Sequence, residues 1–306
     1  MTLKVIRAGF SSVQDLGRFG HEAVGVAPGG AADPLAAQLA NALVGNAADA
    51  ALLEIQLSAA TFVLERDACI ALTGARVDFA AAGRPRANGQ PIWLRSGDEI
   101  KVGPFKQGRA AYLGIAGGIA VPALLGSRST DLQAGFGGFG GRWLRALDVL
   151  TLGDPPSKAR HQPNWWCELE LPGDHAILRY LPGPISAPGL ANSIWTVGRD
   201  ATRMAINLQG SALAFDCAEQ PSGAVFPGVI QLPPAGLPII LSVDAQTLGG
   251  YPLVGCVVHA DLRRLAQLLP GARVKLEPID AGLAITLAKR QQAEFNATLY
   301  AIRDRL

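Results

Sequence analysis

Four short segments combine polar or charged side chains with glycine, the mixture from which anion and substrate sites are built. Val13-Gln14-Asp15-Leu16-Gly17-Arg18 sets the Asp15 carboxylate three residues from the Arg18 guanidinium. That spacing suits a turn closed by a local ion pair, or a segment that presents both charges to a ligand. Gly126-Ser127-Arg128-Ser129-Thr130-Asp131 is richer. Arg128, the Ser129 and Thr130 hydroxyls and a glycine-opened backbone could surround an anion with donors. The same residues could also form a Ser/Thr turn with Arg128 in solvent.

The third segment, Gly135-Phe136-Gly137-Gly138-Phe139-Gly140-Gly141, formally satisfies G-x-G-x-x-G. No hydrophobic strand leads into it and no helix follows, so it is not a dinucleotide fingerprint; without Gly-Lys-Ser/Thr it is not a P-loop. What it offers is backbone at Gly137 and Gly138 that can approach a ligand or another chain. The fourth, Ser242 to Pro252, gathers Asp244, Gln246, Thr247 and Tyr251 around Gly249-Gly250 at the end of an apolar strand, where polar groups can converge on a ligand. There is no H-E-x-x-H, no G-x-S-x-G and no evident triad. Cys69, Cys167, Cys217 and Cys256 are dispersed and make no C-x-x-C, and no histidine neighbours them, so no metal site is expected. Cys69 and Cys256 sit in apolar runs and read as buried strand residues.

The elements that must position these segments are mostly strands. Gly 36 and Pro 21 in 306 residues, with few long helical patterns, predict a turn-rich β chain. Short strands are expected at Thr61–Leu64, Cys69–Thr73, Val77–Phe79, Ile92–Leu94 and Ala110–Ile115, and later at Ile177–Leu181 and Ile239–Val243. Asp33 as N-cap, Pro34 at the first position, the Leu35/Leu39/Leu43 stripe and Gly45 mark one helix. A second is expected over Asp261–Leu269, stopped by Pro270-Gly271, and a third in the tail through Phe295, Leu299 and Ile302. The polar stretch from Gly153 to Asn164 reads as a linker. The net charge of +2, with no run of like charges, gives no sign of a nucleic-acid or membrane partner. No apolar run is long enough to span a bilayer and the N-terminus enters a strand pattern directly, so a cytoplasmic location is expected.

Val13–Arg18, Ala40–Asn46, Gly126–Leu132 and Ala134–Gly138, with Leu181–Pro184, Pro227–Pro233 and Gln246–Pro252, resemble in order the motifs of one family. It is the group of KipA, the C-type subunit of 5-oxoprolinase and allophanate hydrolase subunit 2. It is also called the biotin-dependent carboxyltransferase family, after the matching domain of urea amidolyase. The resemblance covers nearly the whole chain. It implies a mainly β protein with a few helices in two β-barrel-like domains: residues 1–160, and a cyclophilin-like one at residues 174–306. It also implies a KipI-like, subunit-B-type partner, a LamB/YcsF-type subunit, and ATP as co-substrate in opening 5-oxoproline. As alternatives it implies a carboxyltransferase half that uses carboxybiotin on urea or a related amide, or a regulator that binds a KipI-like kinase inhibitor.

Together, segments and resemblance nominate Asp244, Arg128 and Tyr251 for catalysis. For substrate binding they nominate Asp15, Arg18, Ser129, Thr130, Gly137, Gly138, Arg203, Gln231, Gln246, Thr247, Gly249 and Gly250. The chain departs from the family pattern at Asn207 and Ala245, where arginine is usual, and at Ser222-Gly223-Ala224, where Ser-Glu-Gly is usual. Asparagine and alanine cannot replace a guanidinium as a carboxylate clamp. Weak binding of 5-oxoproline is therefore expected.

Overall fold

The computed structural model describes residues 1–155, 165–215 and 221–305. Cys217 and most of the expected linker lie outside them. Two units are distinguished by packing: Met1–Arg18, Gly29–Leu171 and Phe295–Leu306 form one, and Phe19–Pro28 with Pro172–Glu294 the other. The expected division follows chain order; packing moves residues 19–28 to the second unit and the last helical turns to the first.

The first unit is a curled sheet. Its strands are β1 (Thr2–Arg7), β2 (Phe10–Gln14), β3 (Leu52–Gln56), β4 (Ala60–Leu64), β5 (Ala68–Ala81), β6 (Arg84–Pro85), β7 (Ile92–Leu94), β8 (Glu99–Ile115) and β9 (Val149–Thr151). The hydrogen-bonded order is β2-β3-β8-β4-β1-β9, and β5 pairs with β6, β7 and β8. Alternate residues such as Leu3, Val5, Phe62, Leu64, Ile70, Leu72 and Leu113 bury one face in a common core. The separate strands expected at Cys69–Thr73 and Val77–Phe79 are one, and Ala110–Ile115 is the end of a 17-residue strand. Gly74, at φ 80°, sits in a run of register shifts where a Cβ would come within 2.5 Å of the Ala110 carbonyl. It bulges the strand where sequence reading placed a break.

Helix α1 (Pro34–Leu43) covers the other face. The Asp33 carboxylate accepts from Ala36 N–H at 3.1 Å, and Gly45, at φ 74°, ends the helix by donating to Ala42. Beneath it Ser12, Glu54, Tyr112 and Thr73 lie opposite one another across β2, β3, β8 and β5 as a buried polar row. Glu54 accepts from Tyr112 OH at 2.9 Å, Ala32 N–H at 2.8 Å and Gln56 Nε2 at 2.6 Å; Asp33 N–H donates to the Tyr112 oxygen at 2.7 Å. These bonds fix the turn that leads into the helix. Leu39, Leu43, Cys69 and Ala71 pack with Phe295 and Ile302, and burial pushes the Cys69 thiol up to about 12.

The second unit closes a barrel from β10 (His175–Pro182), β11 (Ile194–Val197), β12 (Ala205–Gln209), β14 (Val229–Gln231), β15 (Ile239–Leu241), β17 (Leu253–Val257) and β18 (Arg273–Pro278). The short strands β13 (Gly223–Ala224) and β16 (Leu248–Gly249) form a separate ribbon. Leu178, Trp195, Ile206, Ile230, Ile240 and Val274 fill the interior. Helix α2 (His259–Ala266) starts two residues before the expected Asp261. Within the first turn Asp261 accepts from Arg179 N–H and Nε, both at 2.8 Å, and so ties the helix to β10. Helix α3 spans Ala281–Arg305. No helix among the described residues is long and apolar enough to cross a membrane.

Candidate functional site

In the first unit the nominated segments converge on Asp15. Its Oδ1 accepts from Gly17 N–H at 2.8 Å, Ser127 Oγ at 2.6 Å and Ser129 Oγ at 2.5 Å; its Oδ2 accepts from Arg128 N–H at 2.5 Å. Thr130 Oγ1 donates to the Val13 carbonyl at 2.9 Å. Arg18 is buried, donates through Nη2 to the Ser129 carbonyl, and lies 4.7 Å from the Phe136 ring centre. Asp15 and Arg18 therefore each grip the 127–130 loop. The Ser129 and Thr130 hydroxyls are turned onto the protein's own backbone and carboxylate, and Arg128 is the exposed side chain of the loop, its Nε 3.2 Å from the Val121 carbonyl.

The glycine segment closes on the same loop. A Cβ on Gly137 would lie 2.2 Å from the Ser129 carbonyl, and one on Gly138 1.9 Å from Thr130 Oγ1. The open side of these glycines is filled by the chain itself, a geometry that does not fit a nucleotide phosphate cradle. Sequence reading passed over Ser127, which stands inside the nominated segment, and Phe136 as the face under Arg18. Glu54 and Tyr112 gave no local signal, because cross-strand register alone brings them together.

In the second unit the nominated residues gather on the outer face of the barrel. Along β12, β14 and β15 alternate residues point inward, and the outward set includes Ala205, Val229, Ile239 and Leu241. These pack with Val225, Ala245 and Leu253 as a small apolar cluster outside the main core. The ribbon forms beside it, with Gly223 opposite Gly249 and Ala224 opposite Leu248, and Val225 N–H donates to the Thr247 carbonyl at 3.0 Å. Gln231 is buried, and its Nε2 donates to the Tyr251 carbonyl at 3.4 Å. Gly249 is needed there, since a Cβ would fall 2.6 Å from that amide nitrogen.

Arg203 and Asp244 make a buried two-point pair, Nε to Oδ2 at 2.6 Å and Nη2 to Oδ1 at 2.8 Å; Asp244 N–H also donates to the Arg203 carbonyl at 2.9 Å. The pair closes the loop entering the nominated turn on the segment preceding β12. Gln246, Gly250 and Tyr251 are exposed and Thr247 is buried. Gln231 and the Arg203–Asp244 pair are thus separate buried polar groups, and Gln246 and Tyr251 are exposed polar side chains of the nominated turn. Of the two departures, Asn207 points outward and donates to the Asp200 carboxylate, whereas Ala245 is enclosed by Val225, Val229 and Leu241.

Residues 24–278 match the family model described as carboxyltransferase domain, subdomain A and B. The chain is 36% identical to the C-type subunit of Escherichia coli 5-oxoprolinase, over 99% of each chain. It is 32% identical to the Haemophilus influenzae protein of the same name, over 92% of each. Of the K. lactis urea amidolyase structure it matches only 20%, at 28% identity and a TM-score of 0.88, but that match takes in 97% of the present chain.

Proposed function

The chain belongs to the carboxyltransferase domain, subdomain A and B, family, and from that premise we propose that it is the C-type subunit of a 5-oxoprolinase-like complex that opens a cyclic amide at the expense of ATP. One observation carries this reading: the chain is collinear with a free-standing C-type subunit of 5-oxoprolinase over 99% of both lengths. In this reading a KipI-like, subunit-B-type chain completes the enzyme, with a LamB/YcsF-type subunit as a further member. The nominated turn on the outer face of the second unit receives the amide. Gln231, Gln246, Thr247 and Tyr251 orient it, and Asp244 keeps Arg203 in place beside it. In the first unit Asp15 and Arg18 hold the loop that presents Arg128 to an anionic group. Because Gly137 and Gly138 are packed on their own chain, ATP is handled by another subunit.

Purified alone, the chain should show little 5-oxoproline-dependent ATP hydrolysis; co-purified with the companion subunits it should show it robustly. Turnover by the isolated chain, or none by the full set, would overturn the proposal. The likeness to urea amidolyase supports a second reading, carboxyl transfer with carboxybiotin supplied on a separate carrier. Carboxylation of urea that requires an added biotinylated carrier and biotin carboxylase would select it.

A further inference from the structure

The ribbon of the second unit sets apolar side chains around one of the hydrogen-bonding groups of the nominated turn. Gly223 pairs with Gly249 and Ala224 with Leu248, and Val225 N–H donates to the Thr247 carbonyl at 3.0 Å, so the same register puts Phe226 across from Gln246. Side chains alternate along both strands. Val225 and Thr247 are buried, Val225 in the cluster that holds Ala245, Val229 and Leu241. Ala224, Phe226, Gln246 and Leu248 are exposed, Phe226 by 55% and Leu248 by 62%.

The Gln246 amide therefore has Phe226 opposite it and Leu248 two residues along the same strand. A neutral donor–acceptor group flanked by exposed apolar side chains is the mixture that fixes a small ligand by its polar edge and covers its apolar part.

Charge narrows the ligand. From Pro221 to Gln231 and from Asp244 to Pro252 the one residue charged at neutral pH is Asp244. It is taken by Arg203 at 2.6 and 2.8 Å, and both side chains are buried. The turn before Arg203 adds one charge of each sign, Arg199 and Asp200, and Asp200 accepts from Asn207. These segments hold no surplus of positive charge. A carboxylate laid on Phe226 and Leu248 would lose water without gaining a cation, whereas an alkyl group there buries apolar area.

We propose that the preferred substrate is a cyclic amide with an apolar substituent in place of a carboxylate: Gln246 bonds the ring amide, and Phe226 and Leu248 hold the substituent. The inference rests on the reading of this turn as the receptor of the amide in a ring-opening complex, and it adds the substrate class. Opening adds water across the ring C–N bond while ATP goes to ADP and phosphate. The test uses the assembled complex and measures the ring-opened amino acid. Its substrates are 5-oxoproline, unsubstituted pyrrolidinone, and pyrrolidinone bearing a butyl group where 5-oxoproline carries its carboxylate. The kcat/KM for the butyl lactam should exceed that for each of the others by about tenfold or more. Phe226→Ser and Leu248→Ser should each lower the ratio of butyl lactam to 5-oxoproline by about tenfold, mainly through KM. Both side chains are exposed, so urea unfolding of the chain should be unchanged. An active complex that prefers 5-oxoproline overturns the substrate class and leaves the subunit reading standing. A ratio that neither substitution moves puts the substituent elsewhere and overturns the proposal. An intact complex that opens none of the three overturns both readings.

Discussion

Replacing Asp244 by alanine should destabilise the second unit by about 3–5 kcal/mol. The Arg203–Asp244 contacts of 2.6 and 2.8 Å join side chains that are 5% and 4% exposed. An exposed ion pair is worth at most about 1 kcal/mol because water substitutes for the lost partner. Here the guanidinium is held where water does not reach it, and it loses two charge-assisted hydrogen bonds of about 1.5–3 kcal/mol each. Water entering the vacated space recovers part of that sum, which brings the loss to the range above. Asp244→Asn keeps one acceptor and should lose about half as much. Replacing both partners, Arg203→Met with Asp244→Leu, should recover most of the stability, since no charge is then stranded. Urea unfolding, followed by circular dichroism, reads all three. A loss below about 1 kcal/mol for Asp244→Ala, or a double variant no better than the single one, refutes the argument. If Asp244→Asn instead kept full stability and abolished turnover of the assembled complex, the carboxylate would act on the ligand directly.

Three further outcomes follow from local geometry. Ala245→Arg forces a charge into the cluster of Val225, Val229 and Leu241 and should destabilise by roughly 3 kcal/mol or more, whereas Asn207→Arg, beside Asp200, should change stability by less than about 1 kcal/mol; thermal melts of the two variants decide this. Arg128→Ala should stay within about 0.5 kcal/mol of the parent in urea while 5-oxoproline binding to the assembled complex weakens roughly tenfold or more, and an unchanged affinity counts against the anion role. Cys69, raised from 9.0 in the unfolded chain to about 12 by burial, contributes stability that is complete below pH 9 and is lost as pH rises towards 12. A Cys69→Ala variant should show a shallower decline than the parent across that window.

Much of this was legible in the sequence because it is local. Asp33, Pro34 and Gly45 bound α1 by capping chemistry, and the Leu35/Leu39/Leu43 stripe faces where its spacing puts it. The second helix was expected to start at Asp261, which instead stands inside its first turn as the partner of Arg179, 82 residues earlier. Strand lengths failed at Gly74, since a bulge and a break present the same residue. The Asp15 segment was picked out by type and spacing, but its bonds to Ser127 and Ser129 cross more than a hundred positions. Nothing in the immediate neighbourhood of Glu54 announces that Tyr112 and Ala32 will satisfy it. The two usual-arginine positions illustrate the same limit, for a motif cannot tell the half-buried, outward-facing position 207 from the enclosed position 245.

The last turns of α3 bear on how the protein comes into being on the ribosome. Phe295 and Ile302 pack with Leu39, Leu43, Cys69 and Ala71, residues translated long before them. Domains emerging from the exit tunnel usually fold in order, N-terminal first. Here the early unit must wait with one of its apolar clusters incomplete while the barrel is synthesised. A frameshift or premature stop within α3 would therefore do its damage far upstream, in the unit already made, and quality-control proteases would meet an exposed face on α1 and not a frayed end.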